Sequence, residues 1–280
     1  MDSLWLQIDV LWPAMLAGIL VVATHVPLGQ EVLRRGIIFL DLAIAQIAGL
    51  GLIAASSLGM VEHMPVLGQA VAILTAVVAS LLLYQLRKHD PREQEALIGV
   101  AFVLAATGSI LLLASDPHGG ERLKDLLVGQ ILWTNTTQLL WVSIVYVCIL
   151  FAWFRLSGQG GWLFYPLFAI TITLSTQLVG VYLVFASLII PALAVRRLSG
   201  RQALVWAYTV GFSAYLLGLF VSAWKDWPSG ATIAWCLAFI GLAACGAVSL
   251  LPQVRREGQV CNEIEADAGD HNENESRLST

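Results

Sequence analysis

Charged residues are scarce in this sequence. Only 12% of the 280 residues are Asp, Glu, Lys or Arg, whereas 58% are hydrophobic. A soluble domain of this size carries roughly 25% charged residues, so too few are present here to cover a water-facing surface. The hydrophobic residues occur in runs that approach the roughly 20 residues a helix needs to cross a bilayer. The composition therefore excludes an ordinary soluble domain and indicates a polytopic membrane protein.

Several motifs of enzymes and secreted proteins are also absent. The sequence contains no P-loop pattern G-x-x-x-x-G-K-[ST] and no H-E-x-x-H zinc-protease pattern. Its four cysteines form no C-x-x-C pair, and no Lys or Arg occurs in the first ten residues, which argues against a cleaved signal peptide. The negative charge lies mostly in the segment Gln259–Thr280, so the remaining body has no basic surface for nucleic acid. We expect neither an enzyme nor a nucleic-acid-binding protein.

Nine apolar segments predict membrane-spanning helices. They are Leu11–Val26, Ile37–Leu58, Val66–Leu86, Ala96–Ser115, Leu139–Phe154, Leu163–Ser175, Leu178–Val195, Leu204–Ala223 and Ala231–Leu251. The sixth and seventh are short and almost adjacent, so eight spans remain an alternative to nine. The prediction is an all-α transmembrane helix bundle over residues 1–258 and a disordered acidic tail over 259–280. Pro27, Pro191 and Pro252 are expected to interrupt or end helices.

Basic residues lie mainly in alternate loops between these segments. They are Arg34 and Arg35; Arg87, Lys88 and Arg92; Arg155; Arg196, Arg197 and Arg201; and Arg255 and Arg256. Short cytoplasmic loops hold the excess of Lys and Arg in membrane proteins. With nine spans, the sequence therefore predicts an N-terminus outside and a C-terminus in the cytoplasm.

Polar side chains at membrane depth are the first candidates for function, because burying them in the bilayer is costly. His25, Asp41 and Gln46 bring imidazole, carboxylate and amide groups that can bind a divalent cation. Asp41 and Gln46 are five residues apart, about 140° around a helix, and share one broad face. Two other interpretations remain open: Asp41 pairs with Arg34 or Arg35, and Gln46 forms an interhelical hydrogen bond.

A polar stretch between the fourth and fifth segments supplies a second set of candidates. It begins with the turn sequence D-P-H-G-G at Asp116 and continues with apolar residues at helical spacing. His118, Glu121 and Asp125 bring nitrogen and oxygen ligands to the predicted outer side, where a metal ion would arrive, and His118 with Glu121 are the expected contacts. The competing interpretation is that these side chains are simply solvated.

Three blocks of the sequence resemble the permeases of zinc, manganese and iron ABC importers. They are Leu16–Gly51, with P-L-G, R-R and an Asp-bearing helix; Glu95–Phe102 followed by Leu126–Trp133; and Gln177–Arg197, QLVGVYLVFASLIIPALAVRR, which is the most specific. The resemblance implies a homodimer in the cytoplasmic membrane that works with cytoplasmic ATP-binding subunits and an extracytoplasmic metal-binding protein. It implies that no cofactor is permanently bound. The expected cargo is a divalent metal ion, zinc foremost and manganese or iron as alternatives, moved by ATP-driven alternating access.

The chain departs from that family at the metal pathway. Counted without gaps from Pro27, the family's pathway histidine falls on Gln46, and its aspartate falls one residue beyond Asp41. An amide oxygen is a weaker zinc ligand than imidazole. The intramembrane pair that the resemblance implies is therefore only half present.

A second departure concerns energy coupling. The family's cytoplasmic coupling segment would lie in Arg155–Gly161, whose sequence RLSGQGG contains three glycines and makes a poor helical lever. We therefore expect Arg196, Arg197 and Arg201 to supply part of the contact with an ATP-binding subunit. The alternatives on the same fold are a carrier that ATP does not drive and a non-transporting accessory protein of the membrane.

Overall fold

The computed structural model of the chain describes residues 2–86, 90–129, 131–156 and 162–250. Regular structure in these ranges is helical throughout. The elements are α1 (Asp2–Arg35), α2 (Leu40–Ser57), α3 (Met60–His63), α4 (Pro65–Gln85), α5 (Pro91–Leu113), α6 (Gly119–Val128), a 3-10 helix (Ile131–Trp133), α7 (Thr136–Leu156), α8 (Phe164–Val179), α9 (Val181–Ala194), α10 (Gly200–Lys225) and α11 (Ser229–Ser249). The predicted tail, Pro252 and most of Arg155–Gly161 lie outside the described residues.

Seven of these helices are long and apolar enough to cross a membrane. The segments are Leu11–Arg35, Leu40–Ser57, Val66–Gln85, Glu93–Leu113, Thr136–Arg155, Gly200–Lys225 and Ser229–Ser249. Each corresponds to one of the nine predicted segments. The predicted sixth and seventh segments form the two shorter apolar helices α8 and α9. The prediction of an all-α polytopic bundle is therefore confirmed.

Helices α8 and α9 are separated by a single residue, Gly180. Its φ of 81° and ψ of 160° lie in a backbone region that is essentially restricted to glycine. The sequence predicted the boundary between Ser175 and Leu178, whereas α8 continues to Val179. The threonine and serine residues near this point do not end helix α8 in its apolar surroundings. The backbone conformation of Gly180 ends it.

Gly180 belongs to a contact between three chain segments that we call the glycine junction, formed by Gly129, Gly180 and Gly230. Gly129 follows α6 and also has a positive φ of 70°. The backbones of Gly129 and Gly180 lie so close that a β-carbon on either would overlap the other. A β-carbon on Gly230, at the start of α11, would lie against the carbonyl oxygen of Val128. The junction fixes where α6, α8 and α11 meet at one end of the bundle.

The other end of the bundle is held by the aromatic clasp, formed by Glu31, Arg35, Tyr84, Phe164 and Tyr165. The Arg35 guanidinium lies 4.5 Å from the centroid of the Phe164 ring, and its Nε donates to Glu31 Oε1 at 2.6 Å. The ring of Tyr84 meets that of Tyr165 edge-on, with centroids 5.0 Å apart. These contacts join the end of α1, the end of α4 and the beginning of α8. We call this the basic end, because Arg34 and Arg35 lie there.

Replacing Arg35 with alanine is expected to lower the free energy of unfolding by about 2–4 kcal/mol, since a desolvated cation–π contact and a charged hydrogen bond are both lost. The matched control is Arg34→Ala. Arg34 binds the same Glu31 carboxylate, but its side chain is 76% exposed and it has no aromatic contact among the described rings. Thermal unfolding in detergent should show a clear drop for Arg35→Ala and a small one for Arg34→Ala. Equal drops would show that stacking on α8 does not matter.

Helix α1 continues through Pro27, so the expectation that this proline interrupts the first span is wrong. Proline cannot donate a hydrogen bond to the carbonyl four residues earlier, which here is that of Ala23. The hydroxyl of Tyr208 on α10 donates to this carbonyl at 3.0 Å. A hydroxyl group from a distant helix therefore supplies the hydrogen bond that the proline cannot donate. Pro191 likewise lies inside α9.

Candidate functional site

An open cleft of about 590 Å³ lies between α2, α6, α7 and α8, at the end of the bundle opposite the aromatic clasp. Apolar residues of α2, including Ala48 and Gly49, form one side of it. The other sides carry most of the polar groups, which are Arg122, Asp125, Gln138, Thr173, Thr176 and Gln177. Most of the lining surface is apolar, and the polar groups on α6, α7 and α8 are the part of the cleft that could contact a hydrated ion.

Helix α6 forms a wall of this cleft and is held against α2 by two contacts. Leu126 packs on Gly49 so closely that a methyl group at Gly49 would overlap it. The Arg122 guanidinium donates to Ser56 Oγ at 3.2 Å and lies 3.4 Å from Asp116 Oδ2. Helix α6 therefore lies directly against α2 at Gly49, one helical turn from Gln46.

The polar residues of α2 continue from the cleft toward the basic end. Gln46 lies one helical turn beyond Gly49 and is buried, and Asp41 lies in the first turn of α2, where it is also buried. A rise of 1.5 Å per residue places Asp41 about 12 Å from Gly49 along the helix axis. One helix thus carries the cleft and two of the sequence-predicted residues.

Asp41 does not pair with the arginines that precede it. Arg34 and Arg35 both bind Glu31, with Arg34 Nη2 2.5 Å from Glu31 Oε2. Among the described residues, no side chain hydrogen-bonds to either carboxylate oxygen of Asp41, and only the amides of Asp41 and Leu42 face it. The interpretation of Asp41 as a salt-bridge partner of Arg34 or Arg35 is therefore wrong. The backbone amides of the first turn and the helix dipole are the groups that favour a negative charge at Asp41.

His25 is fully buried in α1, and its Nδ1 lies 3.2 Å from the hydroxyl oxygen of Thr24. Its Nε2 atom has no hydrogen-bond partner in the described part of the chain. Across the same residues, no three His, Cys, Asp or Glu side chains gather closely enough to hold a metal ion. His25 and Asp41 therefore do not belong to a closed metal cage in this structure.

The structure brings His118 and Glu121 together at the start of α6. The Nδ1 atom of His118 lies 3.6 Å from Glu121 Oε2, and the two side chains are 76% and 83% exposed. Neither residue lines the cleft. Glu121 lies one turn before Asp125 on α6, and His118 is the residue that precedes this helix.

Known proteins resemble this chain over nearly its whole length. The chain matches the ABC 3 transport family over residues 7–157 and 161–247. It belongs to the ABC 3 transport family. A curated relative is the high-affinity zinc uptake system membrane protein ZnuB of Haemophilus influenzae, 24% identical over 254 residues, which cover 83% of this chain and 95% of the relative. The resemblance derived from the sequence blocks is therefore confirmed.

The fold of this ABC 3 transport family chain also has a solved counterpart. A chain in the structure of PsaBC from Streptococcus pneumoniae in complex with Fab superposes with a TM-score of 0.72 at 19% identity, covering 91% of this chain and 98% of that chain. At this level of identity the comparison establishes the fold. The chain is a multi-pass membrane protein of a transport family.

Exposed basic residues of the ABC 3 transport family chain lie at the end of α9. Arg196 and Arg197 lie in the turn that follows this helix, and Arg201 lies in the first turn of α10. All three side chains are exposed. They are free to meet a partner, as the sequence predicted, and that role stays a prediction.

Sequence reasoning missed four neutral polar residues that line the cleft from α7 and α8 in this transport-family chain: Gln138, Thr173, Thr176 and Gln177. They come from α7 and α8, more than ten residues from any predicted site residue. A neutral amide near the end of an apolar segment carries no signal of its own. Asp125 was identified with His118 and Glu121 in the polar stretch, and it is the one of the three that lines the cleft.

Proposed function

We propose that this chain is the permease subunit of an ATP-driven importer of divalent metal ions in the cytoplasmic membrane. Zinc is the first candidate, with manganese and iron next. The supporting observation is the sequence of groups along α2, from the cleft at Gly49 through buried Gln46 to the unpaired carboxylate of Asp41. An ionisable residue at membrane depth without a structural partner is a functional group by default. Carboxylate and amide oxygens are ligands for divalent cations.

The cleft end faces the outside in this proposal, and the basic end faces the cytoplasm, as the distribution of Lys and Arg favours. A metal-binding protein delivers the ion to the rim at His118 and Glu121. Helix α6, through Leu126, bars the way from the cleft to Gln46 until the bundle rearranges. Alternating access would then expose His25, Gln46 and Asp41 to one side at a time.

Two copies of the chain assemble with separate ATP-binding subunits at the basic end, where Arg196, Arg197 and Arg201 contribute to docking. ATP hydrolysis belongs to those other chains. This permease holds no permanent cofactor, and the metal ion is its cargo.

Reconstitution tests the proposal. The chain is purified with an ATP-binding subunit from the same organism, placed in liposomes with a metal-binding protein from that organism, and assayed for radioactive zinc uptake and ATP hydrolysis. We expect uptake only with ATP, with competition by manganese and iron. The matched control is the same complex with a catalytically inactive ATP-binding subunit. Failure to form a complex would contradict the proposal, and metal flux without ATP would favour a passive carrier.

A further inference from the structure

Two helices end beside the cleft, and both ends carry negative charge. Helices α6 and α8 end at Val128 and Val179, and their next residues meet in the glycine junction. The last carbonyls of a helix lack internal partners, and the dipole gives each C-terminus about half a negative charge. The N-termini of α9, which begins at Val181, and of α11, which begins at Ser229, lie at the same junction and carry the opposite partial charge. The two pairs of helix ends offset one another, so the charge of the cleft is set by its side chains.

Two ionisable residues line the cleft. They are Arg122 and Asp125. The charge of Arg122 is compensated by Asp116, 3.4 Å away, whereas Asp125 makes no ion pair within the described ranges. Lys124 is adjacent in sequence, but it is exposed and does not line the cleft. Asp125 is therefore the uncompensated charge of the cleft.

The remaining polar groups near Asp125 are suited to a cation. Gln138, Thr176 and Gln177 supply amide and hydroxyl oxygens from α7 and the last turn of α8. The Thr176 hydroxyl donates its proton to the carbonyl of Ile172 at 2.7 Å, so its lone pairs remain available. Oxygen ligands suit hard divalent cations, and the lining residues include no imidazole or thiol.

The cleft also has room for an ion with its water. A water molecule takes about 30 Å³ in the liquid, so a divalent ion with six waters needs roughly 200 Å³, well below the volume of the cleft. We propose that Asp125, with Gln138, Thr176 and Gln177, forms a receiving site that holds a hydrated divalent cation above the contact between Leu126 and Gly49. The site rests on the proposed transport function and adds its entry step. Because the ion keeps its water, the site discriminates weakly between metals of equal charge.

Asp125→Asn is the test, made in the full transporter complex in lipid nanodiscs with Mn²⁺ alone as the probe. Electron paramagnetic resonance of free Mn²⁺ counts the bound ions, and we expect the variant to lose one equivalent per chain. In liposomes, the metal concentration for half-maximal uptake should rise about tenfold, the effect of losing one charge-assisted contact, with the maximal rate within about twofold. The matched control is Asp226→Asn, an exposed aspartate in the left-handed conformation that asparagine also adopts. It should change neither quantity.

A second variant distinguishes the effect of the carboxylate charge at position 125 from the effect of the side chain's length. Asp125→Glu keeps the carboxylate and should retain the bound Mn²⁺. Equal binding and equal half-saturation in Asp125→Asn and Asp226→Asn would overturn the site, as would equal loss in Asp125→Glu and Asp125→Asn. The binding readout does not require transport. Loss of the Mn²⁺ equivalent in a complex that shows no ATP-driven uptake would support the site and contradict the proposed function.

Discussion

Replacing Gly180 with alanine should remove most of the folded protein. The β-carbon would collide with the backbone of Gly129, and neither backbone can move without displacing the end of α6 or α8. The conformation at φ 81° and ψ 160° adds strain for any residue with a side chain. Together, strain and overpacking cost roughly 2–6 kcal/mol, a large part of the stability of a typical protein. The measurement is the yield of monodisperse protein by fluorescence-detected size-exclusion chromatography.

The control for Gly180 is Gly246→Ala in α11. Gly246 is helical and exposed, and no atom lies within 4 Å of a β-carbon built there. Alanine favours a helix over glycine by about 1 kcal/mol, so this variant should be at least as stable as the parent. Normal yield of Gly180→Ala would show that α6 and the break between α8 and α9 can separate at no cost, contrary to the structure.

Asp41→Asn should lower metal uptake by about tenfold or more without lowering the amount of folded protein. The carboxylate has no side-chain partner among the described residues, so its neutral isostere leaves no charge unpaired. A charge-assisted contact with the passing ion, however, is lost. At about 1.5–3 kcal/mol, that loss lowers uptake by about tenfold or more. Uptake into liposomes, normalised to the amount of folded complex, measures the effect.

Glu31→Gln is the opposite case and serves as the control for Asp41. Glu31 is buried at the same end of the bundle, but it binds Arg34 and Arg35. Its neutral variant leaves two guanidinium groups without their carboxylate and should lower the free energy of unfolding by about 2–3 kcal/mol. We therefore expect Asp41→Asn to be as stable as the parent but to take up little metal, and Glu31→Gln to be destabilised. Normal uptake by Asp41→Asn at normal abundance would remove Asp41 from the pathway.

The membrane-spanning helices were predictable because the signal that defines them is local. An apolar run of the right length specifies a helix in lipid whatever its neighbours are. The first span was predicted too short for a related reason: the effect of Pro27 is local, whereas its compensation by Tyr208 comes from a helix 185 residues away in sequence. The break between α8 and α9 was misplaced by a few residues, because the backbone conformation of Gly180 depends on its contact with Gly129.

The candidate site was predictable only where it carries charge. Asp41 and His25 are conspicuous in apolar surroundings, and both are buried as expected. The sequence analysis left the pairing of Asp41 with Arg34 or Arg35 open. In the structure Glu31 binds both arginines instead, because its i, i+3 and i, i+4 spacing gives the better helical geometry. The cleft could not be predicted from the sequence, because five separate helices contribute lining residues to it.

The hydrogen bond from Tyr208 to the Ala23 carbonyl also constrains how the chain is made. A carbonyl without a donor costs several kcal/mol in the hydrocarbon of a bilayer. Ala23 enters the membrane with the first helix, whereas Tyr208 lies on α10 and is synthesised much later. Through most of translation, the carbonyl of Ala23, one turn before Pro27, therefore lacks the hydrogen bond from Tyr208, and the first helix has not reached its final packing. Assembly of this bundle is completed from both ends of the polypeptide, when the penultimate helix closes onto the first.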